Sequence, residues 1–319
     1  MLQVNCKLCR DNIAEPIDEY KFHVESDVEY FGKLNIYYCD KCDFGFSFPD
    51  PDEKKINYFY QNIYRSKGRP HETTRDLDSK LYNQQNFNYI EYLTTFINFN
   101  KINNVFDFGS GSGDLCYLLK QKFSHLNIAT IENDRYSRQI LEDRKIKVFN
   151  DFDEIKTKYD LVISTHVLEH LTDLEVIDNF KKISGKNSLF FFEVPNNQFK
   201  KNFMKRPYDS PHLLFFTEKS LEIIRNLFNL ELVNKSFYSN SLEQQYHYMD
   251  LSKKKYRDWQ QGYKLNYKSE TLIFIKNLVK KLIPKKIMQM RQTFIQTEIA
   301  KGYLNDEDSW CLRVIFKNN

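Results

Sequence analysis

Val105-Phe106-Asp107-Phe108 runs directly into Gly109-Ser110-Gly111-Ser112-Gly113, after which Leu115, Leu118 and Leu119 recur at helical spacing. An apolar run, a glycine-rich turn and an amphipathic stretch in that order form a strand, a tight turn and a helix. The alternation then continues. Residues 127–132, 145–149, 159–164, 188–194 and 230–236 read as strands, and 136–142, 171–184 and 218–228 as helices between them. Such regularity predicts an α/β fold: a doubly wound parallel sheet with helices on both faces and its ligand at the carboxyl ends of the strands.

The turn itself narrows the ligand. A dinucleotide-binding turn places a glycine three residues after Gly111, where this chain has Asp114, and a carboxylate at a helix start repels pyrophosphate. The spacing Asp107-x-Gly109-x-Gly111-x-Gly113 instead lets bare backbone lie against a ligand without phosphates, with Asp107 for an ammonium group and free N–H groups for a carboxylate. A zwitterionic amino-acid moiety meets both. Glu132, ending the second strand, is placed to accept two ribose hydroxyls, and Asp151, following the third, to meet an adenine amino group. Amino acid, ribose and adenine in that order describe S-adenosylmethionine.

Four of the six cysteines form two pairs, Cys6-Lys7-Leu8-Cys9 and Cys39-Asp40-Lys41-Cys42. Two knuckles of this spacing converge four thiolates on a Zn²⁺ ion, and residues 20–24 and 34–38 read as the short strands of a zinc ribbon. His23 is another candidate ligand between them. A pair of disulfides is the competing reading, which a reducing compartment disfavours. Cys116 and Cys311 fall within apolar patterns as buried thiols. The aromatic alternation of residues 44–48, closed by Pro49 and Pro51, suggests an edge strand.

On these residues the chain resembles the class I S-adenosylmethionine-dependent methyltransferases, over residues 100–236 and a closing strand at 310–316. Asp107 to Gly113 matches the family's first motif, Glu132 its ribose-binding acid and Asp151 its adenine-side acid. Residues 159–171 match its fourth-strand motif, which adds His166 to the cofactor-binding set. The resemblance implies a seven-stranded Rossmann-like sheet whose last strand is antiparallel. A narrower resemblance is to the zinc-containing branch that methylates sugars or surface-glycan precursors, including the deoxysugar C-methyltransferases. It rests on the ribbon, on Glu193-Val194-Pro195-Asn196 and on residues 208–217. Those C-methyltransferases carry a Tyr-His-Glu-His run, and here only its last histidine, His212, has a counterpart, so O-methylation is the implied chemistry.

Three histidines compete for the catalytic role. His212, beyond the fifth strand, is placed to take a hydroxyl proton as a neutral imidazole. Glu169 and His170 open the helix after strand four, where they suit acid/base work or helix capping. His166-x-x-Glu169-His170 also resembles the Glu-x-x-Glu-His metal site of quinone-ring O-methyltransferases, with histidine in the first place.

The expected organisation is a zinc ribbon over 1–55, the cofactor-binding core with leading helices over 56–238, a helical insertion over 239–305 and the closing strand over 306–319. Residues 250–301 carry thirteen Lys/Arg against four Asp/Glu, whereas the whole chain is only +4. A nucleic-acid partner is therefore disfavoured, because the recognising core is left acidic. Leu272, Ile275, Val279 and Leu282, with Lys276, Lys280 and Lys281 off their face, read as an amphipathic helix. It and a second helix suit the core, a homodimer partner or, through residues 270–299, an anionic membrane surface. The first residues lack a basic region followed by an apolar run, so the expected location is cytoplasmic. The reading favoured overall is O-methylation of a small-molecule or glycan acceptor. The rivals are C-methylation of a nucleotide deoxysugar, an RNA methyltransferase and a catalytically silent ribbon scaffold.

Overall fold

The computed structural model describes residues 4–72, 84–197, 211–238 and 311–319. In the cysteine-bearing part, β1 (Val4–Asn5) pairs with β2 (Asn12–Ile13), and β3 (Asp18–Glu19), α1 (Val28–Phe31), β4 (Asn35–Cys39) and β5 (Phe44–Phe48) follow. The first ribbon strand is thus shorter and earlier than expected from residues 20–24. Next comes α2 (Glu53–Asn62), capped by the Asp52 side chain on the Lys55 amide at 3.0 Å, and then α3 (Gln84–Phe96). The boundary expected at residue 55 falls inside α2.

The core then alternates as the sequence requires. Its elements are β6 (Asn104–Phe108), α4 (Asp114–Lys122), β7 (Asn127–Ile131), α5 (Arg135–Asp143), β8 (Lys147–Phe149), β9 (Tyr159–Thr165), α6 (Val176–Lys182) and β10 (Ser184–Pro195). They are followed by β11 (Leu214–Phe215), α7 (Glu218–Leu227), β12 (Leu230–Tyr238) and β13 (Cys311–Asn318). Seven strands form one sheet in the order β12-β13-β10-β9-β6-β7-β8. Pairs from β8 to β10 are parallel, and β13 runs antiparallel to both neighbours. This is the seven-stranded, doubly wound Rossmann-like sheet. The order reverses between β6 and β9, so their carboxyl ends diverge and leave a crevice.

Two differences from the sequence reading concern the site. The helix expected over 171–184 begins only at Val176; a 3-10 turn at Leu168–His170 and an extended Leu171 precede it. Asp173 accepts the Glu175 amide at 2.9 Å, which competes with helix continuation upstream. In the second, residues 44–48 are not an edge. β5 pairs with β4 on one side and, on the other, with β11, through Leu214↔Phe46 and Phe215↔Gly45. The reason is burial: Phe44, Phe46, Leu214 and Phe215 have no exposed surface, so their alternation marks a strand covered by a distant segment. The helices expected within 239–305 lie outside the described residues. Among the described residues no helix is long and apolar enough to cross a membrane.

All six cysteines are free thiols, so the disulfide reading has no support. The sulfurs of Cys6, Cys9, Cys39 and Cys42 lie within 4.8 Å of one another, with Cys9 and Cys39 3.6 Å apart. Arg10 and Asp43, each following a Cys pair, adopt φ of 65° and 50°, which swings the chain around the sulfurs. That donor set fits a closed Zn²⁺ site. Burial pushes the Cys6 thiol up to about 11, so a cation must displace a firmly held proton. Because β11 of the core completes the ribbon's sheet, zinc should stabilise both. Cys39→Ser is expected to lose the zinc and to speed amide exchange at Phe46 and Leu214 together; exchange speeding at Phe46 alone would contradict this coupling.

Candidate functional site

A cavity of about 560 Å³ opens over the carboxyl ends of β6, β7 and β9. One wall carries Phe108, Gly109, Glu132 and Asp134; a second comes from the N-terminal part with Tyr60, Tyr64 and Arg65; a third carries His166, His170 and Thr172.

The first wall depends on glycine. Gly109 has φ of +71°, and a Cβ there would stand 2.5 Å from Val167 Cγ2; Gly113, also at +71°, would place one 2.3 Å from Leu141 Cδ2. Neither tolerates a side chain, because both conformation and space exclude it. Gly111, at +56°, leaves its open side to the Arg65 guanidinium, whose Nη2 would lie 3.1 Å from an added Cβ. Glu132 holds the turn from behind, accepting the Gly111 amide at 2.7 Å on Oε2 and the Asp134 amide at 2.8 Å on Oε1. Burial raises its pKa, with the Arg65 charge and these two amides opposing. Each carboxylate oxygen keeps a lone pair, which suits two ribose hydroxyls.

The other predicted acids lie off the wall. Asp107 is buried under the turn, where Oδ2 accepts the Cys116 thiol at 3.1 Å; burial pushes it up to about 7, helped by the Glu132 charge. Its carboxyl is therefore not presented to an ammonium group at the cavity surface. Asp151 caps the 3-10 turn Phe152–Glu154, accepting the Asp153 and Glu154 amides at 2.8 and 3.1 Å. Asp114 is paired with Arg144, so the helix start carries no bare negative charge and its repulsion of pyrophosphate is weaker than the sequence implies.

At the acceptor end, His166 adopts φ of 55° as β9 ends, a left-handed conformation that is strained for a non-glycine residue. The turn places its ring between two buried carboxylates, Nδ1 at 3.2 Å from Glu169 Oε1 and Nε2 at 2.9 Å from Glu193 Oε1. Burial works against its charge, but Tyr89, Cys311 and the two glutamates outweigh it and hold the imidazolium well above the ordinary histidine range. Glu193, despite burial, is held down to about 2 by Arg313 and His166. His166 is thus a cation held between two carboxylates, and it also lines the cavity. His170 lines the cavity, its Nδ1 2.9 Å from the Pro211 carbonyl and 3.2 Å from the Tyr60 hydroxyl. His212 is not among the lining residues. Its ring centre lies 4.9 Å from that of His170, and burial with the neighbouring His170 pushes its pKa down to about 3. Of the three histidines, His166 and His170 line the cavity.

Tyr60, Tyr64 and Arg65 were not predicted. Residues 56–100 show only an aromatic-rich composition, and no spacing in them marks a residue that reaches a turn 46 positions later. Arg65 sets a cation beside the turn, where only the turn's amides were expected.

Two outcomes follow from this geometry. Glu132→Ala should weaken S-adenosylmethionine binding by about 2 to 4 kcal/mol, roughly 30- to 700-fold in Kd, measured by calorimetry. The Glu193 contribution to stability is complete above its ordinary 4.5 and lost as pH falls toward 2; that of His166 is complete below 6.5 and lost as pH rises toward its raised value. Urea unfolding of wild type and Glu193→Gln across pH 2 to 9 should show the two stabilities converging at the acid end.

Residues 81–235 match the model of a methyltransferase domain. No curated protein matches the chain. Among solved structures, coclaurine N-methyltransferase bound to N-methylheliamine and SAH is 15% identical, with 83% of this chain and 81% of that one covered and a TM-score of 0.46. A SAM-dependent methyltransferase from Archaeoglobus fulgidus is 14% identical, with 76% and 97% covered and a TM-score of 0.42. The O-methyltransferase of a trans-AT PKS multienzyme of Brevibacillus brevis, in complex with S-adenosyl-L-homocysteine, is 14% identical, with 72% and 71% covered and a TM-score of 0.41.

Proposed function

We propose that this chain, an S-adenosylmethionine-dependent methyltransferase by its methyltransferase domain and its cofactor wall, methylates a hydroxyl oxygen of a sugar or surface-glycan intermediate. The observation that carries the reading is a single cavity that runs from the ribose-binding acid Glu132 to His170 at the acceptor end. When bound, S-adenosylmethionine supplies an electrophilic methyl group on a cationic sulfur. Glu132 holds the ribose, Gly109 lets the backbone lie close, and Arg65 takes the carboxylate. Orientation is then the main contribution of the protein.

The acceptor lobe has the composition that suits a polyhydroxyl ring. Tyr60 and Tyr64 give it aromatic surface, and Asp50, Asn57, Thr172 and Asp173 offer hydrogen-bonding groups around it. The same rim carries Glu53 and Glu175, with Lys7 paired to Asp50. An acidic rim opposes a nucleotide diphosphate or an RNA backbone, which favours a neutral glycan over a nucleotide-linked sugar and over RNA. His170 is the group that meets the acceptor hydroxyl, with Glu169 and His212 beside it.

His170→Ala should lower kcat by about 10² to 10⁴ while Kd for S-adenosylmethionine stays within about twofold. The substrate class is tested by incubating the enzyme and labelled cofactor with neutral and nucleotide-linked sugars. Mass spectrometry is expected to find a new methoxyl group on the neutral sugars; label on a carbon or an amine would sink the reading.

A further inference from the structure

Residues 63–72, which follow α2, carry the cavity residues Tyr64 and Arg65. Their shape is set locally. The Ser66 amide and hydroxyl donate to the Ile63 carbonyl at 3.0 and 2.7 Å, and the Arg69 amide to the Ser66 carbonyl at 3.2 Å. The Glu72 amide donates to the Arg69 carbonyl at 3.0 Å, and the Gly68 amide to the Glu72 carboxylate at 2.8 Å. These bonds stay inside the segment, so they close its turns without fixing where it sits over the core.

A buried ion pair ties it down. Arg69 Nη2 donates to both carboxylate oxygens of Asp27, 42 positions earlier, at 2.7 and 2.8 Å. Asp27 ends a 3-10 turn (Glu25–Asp27) in the cysteine-bearing part and is only 3% exposed. The Arg69 guanidinium also lies 5.4 Å from the ring centre of Phe59 on α2. Pulling the two apart would leave a charge alone in the interior, which is strongly unfavourable. Arg65 stands four residues before this anchor. Its Nη2 lies 3.1 Å from where a Cβ on Gly111 would be, and its guanidinium carbon 5.4 Å from the Tyr64 ring centre. Among the described residues no carboxylate is ion-paired with it, and its charge acts on Glu132 only at longer range. The guanidinium fork is thus left for an anionic group lying along the glycine turn.

We propose that Asp27 is a positioning residue for the cofactor: through Arg69 it anchors residues 63–72 so that Arg65 stands over Gly111 and grips the amino-acid carboxylate. The inference rests on the methyl-transfer reading above, to which it adds a task for a residue of the cysteine-bearing part. Asp27 does not line the cavity, and its effect passes from one guanidinium to the other along a single short segment. The adenosine end, held by Glu132, does not depend on that segment. Selectivity between ligands with and without the carboxylate therefore reads the anchor separately from the stability of the fold.

The test is calorimetry on the full-length chain with two ligands, S-adenosylhomocysteine and 5′-methylthioadenosine, which keeps adenine, ribose and sulfur but lacks the amino-acid end. Arg65→Gln is expected to weaken S-adenosylhomocysteine by about 10- to 100-fold, and Asp27→Asn and Arg69→Met by about 10-fold. All three should leave 5′-methylthioadenosine within about twofold of wild type. If Asp27→Asn fails to fold, Arg69→Met decides, because burial already raises the Asp27 pKa and a carboxyl left without its partner can take a proton. Equal losses for both ligands in the Asp27 and Arg69 variants show a merely structural pair and overturn the proposal. So does wild-type affinity for S-adenosylhomocysteine in those variants, or in Arg65→Gln. Each of these results leaves the function standing, whereas failure of the wild type to bind S-adenosylmethionine removes the function.

Discussion

Glu193 on β10 and Arg313 on β13 are both buried, and neither charge is tolerable there without the other. Arg313 Nε donates to Glu193 Oε2, while Oε1 accepts the Tyr89 hydroxyl and His166 Nε2. The guanidinium also lies 5.0 and 5.3 Å from the ring centres of Tyr89 and Tyr92 on α3. One carboxylate thus ties together α3, β9, β10 and β13. It also sets the register of the closing strand. Glu193 is paired with Arg313 across the ladder, and a slip of one residue would turn Arg313 to the opposite face and take it away from Glu193. Because His166 is held at one end of this network, Glu169 at its other nitrogen is held too, and through it the acceptor end of the cavity.

The cavity depends equally on the cysteine-bearing part. Besides the β5–β11 pairing, the Thr217 hydroxyl donates to the Asp43 carbonyl, and the Ser47 amide to the Leu213 carbonyl at 2.8 Å. Lys7, between the first two cysteines, reaches Asp50 and the Thr172 carbonyl, and both of those residues line the cavity. The zinc knuckle is therefore one residue removed from the acceptor rim. A metal that folds this segment also shapes the pocket, in which α2 and the turn after it supply Tyr60, Tyr64 and Arg65.

The order of the central elements, the glycine turn and the four-cysteine set were legible in the sequence because each depends on local properties. Hydrophobic period distinguishes strand from helix within ten residues, glycine alone reaches the positive φ of Gly109 and Gly113, and a C-x-x-C spacing brings two sulfurs together whatever surrounds it. Even Glu132, 19 residues from Gly113, was placed by the length of one helix and one strand. What the sequence could not decide is which distant segments cover one another. Residues 44–48 look like an edge strand until β11, some 170 positions later, lies beside them. Arg65 is one cation among many until tertiary packing sets it over Gly111, and His212 resembles a base until the cavity is seen to be lined by His170 instead. Those choices rest on long-range pairing, whose stabilisation comes from burying surfaces and charges that are not neighbours in the chain, so only the folded structure decides them.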